Sequence, residues 1–227
     1  MKLAGKKVLV LGDLDYVDLF ESEGANVYNI DPHDFLSDHP DINDYISQAD
    51  LVCLTGGEDV NPLSFGYIQD PKCGPTSPSR DAFELHVART ALSLKIPIVG
   101  ICRGAQFLCY LNGGTCVQHM TGHHGDHTAY SDDGAKILLV SSDHHQMMVP
   151  TPDAEILLYA RESNPVEICP GHLAFGTTDD AGDQIDPEVV YWPNTKTLGH
   201  QPHPEWMSSH SQYYQYFFYT VKKLMES

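Results

Sequence analysis

Short apolar runs alternate with amphipathic stretches through the first half of the chain. KKVLVL (6–11), ANVYNI (25–30), DLVCL (50–54) and IPIVGI (96–101) have the length and composition of strands. Between them, residues 14–23 read as a short helix. Residues 80–95 read as a longer one, with Phe83, Val87 and Leu94 at helical spacing, Ala88 and Ala91 beside them, and Ser79 as N-cap. CRGAQFLCYLNG follows the fourth strand directly and predicts a helix ending near Gly113-Gly114. Residues 55–79, rich in Pro, Gly and Asp, form a loop. Apolar strands alternating with helices predict an α/β fold whose parallel sheet is covered on both faces.

The second half changes character. KILLV (136–140), EILLYA (155–160), HLAF (172–175), VVYW (189–192) and LGHQ (198–201) are short strand-like runs between turn signals. A final helix is expected from about Met207, with Tyr213, Tyr214, Phe217, Phe218, Val221 and Leu224 as its core stripe. No internal repeat interrupts the 227 residues, so a single domain, 1–227, is expected.

Charge narrows the partners. Thirteen Lys and Arg face thirty-one Asp and Glu, for a net charge of −18, and protonating all thirteen His leaves −5. Such a surface repels phosphate backbones and anionic membranes, so neither nucleic acid nor membrane is expected as a partner. High solubility is the plain consequence; a cationic, polyamine-like substrate is the sharper one. The six cysteines (Cys53, Cys73, Cys102, Cys109, Cys116 and Cys169) form no metal-type CxxC pair. With the apolar run at the N-terminus too short for a secretory segment, free thiols in the cytoplasm are expected.

Three segments carry chemistry. In Gly100-Ile101-Cys102-Arg103-Gly104-Ala105-Gln106 an apolar strand delivers a Cys to a sharp turn into a helix, with glycines two residues to either side. This is the thiol counterpart of a nucleophile elbow. The helix N-terminus favours a thiolate and leaves the Arg103 N–H free for an oxyanion. A lone Cys in this position reads equally well as a buried structural thiol. The second segment decides: His-Gln-Pro-His-Pro-Glu-Trp at 200–206 supplies a base, His203, and an orienting carboxylate, Glu205. Pro204 is expected to hold this segment extended, so that both side chains point the same way. The third is Thr55-Gly56-Gly57, at the carboxyl end of a buried strand, where ligands of parallel sheets collect and paired glycines can present N–H groups to an anion.

Together these segments resemble class I glutamine amidotransferases, and most of all the γ-glutamyl hydrolase and γ-glutamyl-γ-aminobutyrate hydrolase branch (cysteine peptidase C26-like). The branch's GGxDVxP loop is matched at Gly56 to Pro62, its Arg-Asp-x-x-Glu helix start at Arg80, Asp81 and Glu84, and its GICRGxQ elbow at Gly100 to Gln106. Gly113 to Thr115, His144 to Gln146 and the terminal His-Pro-Glu complete the set. The resemblance implies a flavodoxin-like fold with helices on both faces of an open, mostly parallel sheet. It implies Cys102 as nucleophile, His203 as base and acid, and Glu205 as orienter. Gly57 and Arg103 would form the oxyanion hole, while Gln106 and the backbone around His144 would hold the glutamyl group. Arg80, Asp81 and Glu84 are expected to brace their helix. Two departures concern specificity: a polar stretch from Gly176 to Pro187 replaces the branch's Asp-Gly-x-x-Glu, and Pro202 precedes the terminal motif where an aromatic or Gly is familiar.

The expected activity is hydrolysis of γ-glutamyl amide bonds, in glutamine or γ-glutamyl amines and peptides, through a thioester. The rival is a glutaminase subunit feeding ammonia to a synthase partner; a third reading is a redox or sensor protein on the same scaffold. A homodimer is left open. No cofactor is expected. His119, His123, His124, Asp126 and His127 crowd one Gly-rich loop at spacings a metal could use, but the family chemistry needs none, so a solvated or cleft-lining loop is expected and no metal.

Overall fold

The computed structural model describes residues 2–33, 42–120, 123–131, 134–161 and 185–227. Nine strands form one sheet in the order β2-β1-β3-β4-β11-β10-β9-β6-β7. β1 (Lys7–Leu11), β2 (Asn26–Ile30), β3 (Leu51–Leu54), β4 (Ile98–Ile101) and β11 (Thr197–His200) run parallel. β10 (Ile185–Trp192), β9 (Glu155–Arg161), β6 (His127–Tyr130) and β7 (Ile137–Val140) extend the sheet by antiparallel pairing. β5 (Thr115–Val117) and β8 (Met147–Val149) make a separate antiparallel pair. The sheet is therefore mixed, with a parallel half and an antiparallel half.

Both faces of the parallel half are buried, which is why its strands read as unbroken apolar runs. Along β1, Val8 and Val10 join one core with α1 (Leu14–Glu21) and α5 (Gln212–Glu226), through Leu19, Phe20, Phe217 and Phe218. Leu9 and Leu11 face the other way, onto α2 (Ile42–Gln48), α3 (Pro78–Ser93) and α4 (Arg103–Leu111). Each strand thus binds two helical layers together.

Local boundaries differ from expectation where capping chemistry decides. α3 starts two residues early, because Ser77 accepts from the Arg80 N–H and Pro78 fills the first helical turn. Leu94 is its C-cap and stays 48% exposed, while Phe83, Val87, Ala88 and Ala91 are buried. α5 begins at Gln212 rather than Met207, with Ser211 accepting from the Tyr214 N–H; all six stripe residues are buried. α2, β5, β6 and β8 were not expected. The segment 172–175, Cys169 and Gly176–Gln184 lie outside the described residues, whereas Ile185 to Pro187 form the start of β10. Among the described residues, no helix is long and apolar enough to cross a membrane.

Candidate active site

The carboxyl ends of β3, β4 and β11 meet at one cleft. Cys102 sits between β4 and α4 at φ 51°, ψ −108°, a strained conformation for a side-chain-bearing residue. The elbow is possible because its neighbours lack side chains. A Cβ on Gly100 would lie 2.3 Å from the Gly104 carbonyl oxygen, and one on Gly104 would lie 2.2 Å from that of Leu54. Arg103 is the first residue of α4, so its N–H has no acceptor within the helix.

His203 follows β11 and is buried. Its Nδ1–H donates to Glu205 Oε1 at 2.5 Å. The Ser141 hydroxyl takes the His203 N–H (3.0 Å) and donates to the His203 carbonyl (2.7 Å), fixing the backbone of this residue from both sides. Trp206 stacks on the imidazole with centroids 3.7 Å apart and planes 8° from parallel. The segment is not fully extended as expected. Pro204 opens a 3₁₀ turn, Pro204–Trp206, because its fixed φ suits a first helical position. The turn still returns Glu205 to its His.

Gly56 lies where the groups converge. A Cβ there would meet Tyr16 Oη at 2.6 Å, His203 Cε1 at 3.2 Å and Cys102 Cβ at 3.7 Å. The Gly56 N–H donates to the Tyr16 hydroxyl at 3.1 Å. Burial, then the charges of Glu205 and Cys102, hold that phenol far above its usual range and keep it neutral. For His203, burial alone would lower the pKa. Hydrogen bonds and charge from Cys102 and Glu205 outweigh it and push the imidazole up to about 10. The resting site therefore holds a cation beside the Cys102 sulfur.

Beneath the cleft runs a buried ion-pair network. Arg80 donates to Glu84 (2.9 Å), Glu58 (2.9 Å) and the Gly56 carbonyl (2.8 Å). Arg103 pairs with both Glu84 and Asp81. Asp81 in turn accepts from the Asn61 N–H at 3.0 Å. Arg80 also fills the space a Gly57 side chain would need, and Gly57 stands at φ 133°. The Arg-Asp-x-x-Glu start of α3 thus ties the Gly56-Gly57 loop to the first residue of α4.

The cleft, about 330 Å³, is lined by Asp13, Asp15, Tyr16, Gly56, Gly57, Cys102, Asp143, His203, Glu205 and Trp206. The structure brings Cys102, His203, Glu205 and Gly57 together there, with the Arg103 backbone adjoining. Gln106 and His144 stand behind it. Gln106 is buried on α4 and donates to the Gln201 side chain at 3.2 Å. His144 is buried next to the cleft-lining Asp143. Sequence reasoning missed Tyr16, Asp13, Asp15 and Trp206; only Trp206, adjoining the terminal motif, carried a signal. The histidine loop splits. His119 contacts His145 at 3.2 Å, His124 pairs with Asp143 at the surface, and Asp126 is exposed. His123, expected in a solvated or cleft-lining loop, is buried away from the cleft, because Asp186 and His144 face it across the sheet.

The fold and this cleft define a class I glutamine amidotransferase-like protein. The glutaminase domain of CTPS from Trypanosoma brucei superposes with a TM-score of 0.59 at 13% identity, covering 97% of this chain and 94% of that one. A glutamine amidotransferase from Thermotoga maritima does so with a TM-score of 0.57 at 15% identity, covering 97% and 84%. The chain belongs to the Peptidase C26 family, whose profile matches residues 15–167. It is 38% identical over 106 residues to the glutamine amidotransferase-like protein YvdE of Lactococcus lactis, covering 47% of this chain and 43% of that protein. It is 27% identical over 132 residues to the carbamoyl phosphate synthase small chain of Buchnera aphidicola, covering 58% and 30%. The chain thus spans about half the length, or less, of these curated relatives.

Proposed function

We propose that the protein hydrolyses γ-glutamyl amide bonds, with Cys102 as nucleophile, His203 as acid and base, and Glu205 as orienter. The observation that carries this reading is the convergence of a strained Cys at a helix N-terminus with a buried, carboxylate-paired His on one cleft. The Cys102 sulfur attacks the γ-carbonyl carbon. The oxyanion is held by the Gly57 and Arg103 N–H groups, each worth on the order of 10²–10³ in rate. The C–N bond breaks as His203 gives its proton to the leaving amine, leaving a γ-glutamyl thioester. His203 then takes a proton from water, hydroxide adds to the thioester carbon, and the C–S bond breaks to release glutamate. Gln106, bonded to Gln201, and the backbone around His144 would hold the glutamyl group. Arg80, Asp81 and Glu84 hold the oxyanion loop in register.

The rim adds a preference. Among the described residues, Asp13, Asp15 and Asp143 line the cleft and no Lys or Arg does. Such a site favours a leaving amine with further positive charge, as in a γ-glutamyl polyamine. Glutamate release from glutamine and from neutral, anionic and cationic γ-glutamyl amines tests both claims. The cationic amides should turn over fastest, and Asp15→Asn should raise their KM several-fold while sparing glutamine. Equal turnover across the panel would remove the charge preference. A silent panel would remove the stand-alone hydrolase and favour ammonia delivery to a synthase, the reading suggested by the likeness to a carbamoyl phosphate synthase small chain.

A further inference from the structure

A second polar cluster lies in the antiparallel half of the sheet, behind His203. Asp186 and Glu188, two residues apart on β10, share one face and are fully buried. His123, from the segment before β6, and His144, from the segment before β8, close over them, 8% and 4% exposed. One ligand atom from each of the four residues lies within 4.8 Å of all the others.

Among the described residues, hydrogen bonding leaves one polar atom on each of two cluster members, His144 and Glu188, without a partner. The His144 Nδ1 faces the Gln146 carbonyl oxygen at 2.8 Å, so Nδ1 carries the proton and Nε2 presents a lone pair. That Nε2 is buried and has no hydrogen-bond partner. Glu188 Oε1 accepts from His127 at 2.6 Å, while Oε2 is buried and has no partner either. His123 Nε2 stands 3.3 Å from Asp186 Oδ2. A lone pair on nitrogen and one on a carboxylate cannot satisfy each other. Leaving such groups buried and unpaired is costly. The unmatched atoms, His144 Nε2 and Glu188 Oε2, both offer lone pairs within the four-residue cluster, and a single cation would meet both.

We propose that His123, His144, Asp186 and Glu188 bind a divalent first-row transition metal, with zinc the best match, in a closed structural site. Two imidazoles and two carboxylates are borderline ligands of the kind zinc takes in tetrahedral sets. Bonds of about 2.0–2.2 Å place such ligand atoms roughly 3.3–3.5 Å apart, so the cluster needs to close by about an ångström. The outer contacts suit a metal centre, since the Gln146 carbonyl orients His144 and His127 orients Glu188. All four positions come from the protein, which leaves no place for a reacting water. The metal would join three chain segments that also hold the base. Ser142 bonds the His123 carbonyl, Ser141 brackets His203, and the Gln201 N–H donates to the Glu188 carbonyl.

The test is metal binding by the full chain carrying no affinity tag, with Cys102 alkylated so that the cleft cannot compete. Chelator-treated protein is titrated with Zn²⁺ against a chromophoric chelator, and Co²⁺ is added separately for its visible spectrum. The site predicts about one equivalent of Zn²⁺ per chain, a tetrahedral Co²⁺ spectrum and a higher thermal midpoint with metal. His144→Ala and Glu188→Gln should weaken Zn²⁺ at least about a hundredfold, and His124→Ala, at the exposed pair, should leave it unchanged. Wild-type protein that takes up none of Zn²⁺, Co²⁺, Mn²⁺ or Fe²⁺ at micromolar concentration would overturn the proposal, whether or not the variants fold. Uptake that survives both ligand changes in folded protein would overturn it as well.

Discussion

The two halves of the sheet handle buried charge in opposite ways. In the parallel half, Arg80 and Arg103 meet Glu58, Asp81 and Glu84 in one network in which each carboxylate has an arginine partner. In the antiparallel half, Asp186 and Glu188 lie among His123, His127 and His144, and among the described residues lone pairs on His144 and Glu188 face no donor. The first arrangement pairs each carboxylate with a cation and braces the cleft. The second is where we propose an added cation. Buried charge is therefore informative about function chiefly where the chain fails to neutralise it by itself.

The largest effect expected is in the parallel half. Cys102→Ala should lower turnover by at least about 10⁴-fold, with the circular dichroism spectrum and thermal midpoint retained. Residual turnover near wild type would remove the parallel half from the chemistry. Next, Glu205→Gln should cost on the order of 10³–10⁴ in kcat by releasing the orientation of His203. The pH profile adds a signed test. The charged imidazole is held up to about 10, so kcat/KM should be sustained through neutrality and fall only as pH rises through about 10. In Glu205→Gln, with one anionic partner gone, that alkaline limb should move to lower pH.

The contrast between the halves is sharpened by stability. Arg103→Met strands Asp81 without its cation, leaves Glu84 with Arg80 alone, and should cost about 3–5 kcal/mol. In chelator-treated protein, Glu188→Gln should cost clearly less, since the amide keeps an oxygen to accept from His127. Equal losses by denaturant titration would erase the distinction. The smallest effect is at His200, buried between Tyr213 and Thr220, whose pKa burial lowers to about 3. The unfolded chain takes up this proton near 6.5 and the folded chain only near 3. Stability from His200 is therefore full above 6.5 and is lost as pH falls toward 3. His200→Gln should flatten that part of the acid limb of the thermal midpoint.

Legibility followed the same division. β1, β3 and β4 are apolar on both faces, so they stood out as unbroken runs, and the elbow and terminal His-Pro-Glu are local in sequence. β5, β6 and β8 are three or four residues long and carry His, Thr, Cys and Met, which leaves no period to read. α2 has only Ile42 and Ile46 on its buried side. Tyr16 reaches the cleft from a helix that reads as plain core packing. Residues 123, 144, 186 and 188 come together only through the order of β6, β8 and β10, and no spacing announces that. Of the crowded histidine loop, His123 joins the cluster and His127 stands behind Glu188.

The proposed chemistry stands on a covalent γ-glutamyl intermediate at Cys102. Its sharpest test is acid-quenched intact-mass analysis of the enzyme during turnover of its best γ-glutamyl amine, followed by peptide mapping. The mechanism predicts the added mass of one γ-glutamyl group, located on the peptide bearing Cys102 and absent from Cys102→Ala. Glutamate released at the wild-type rate by Cys102→Ala, with no adduct on either protein, would contradict it.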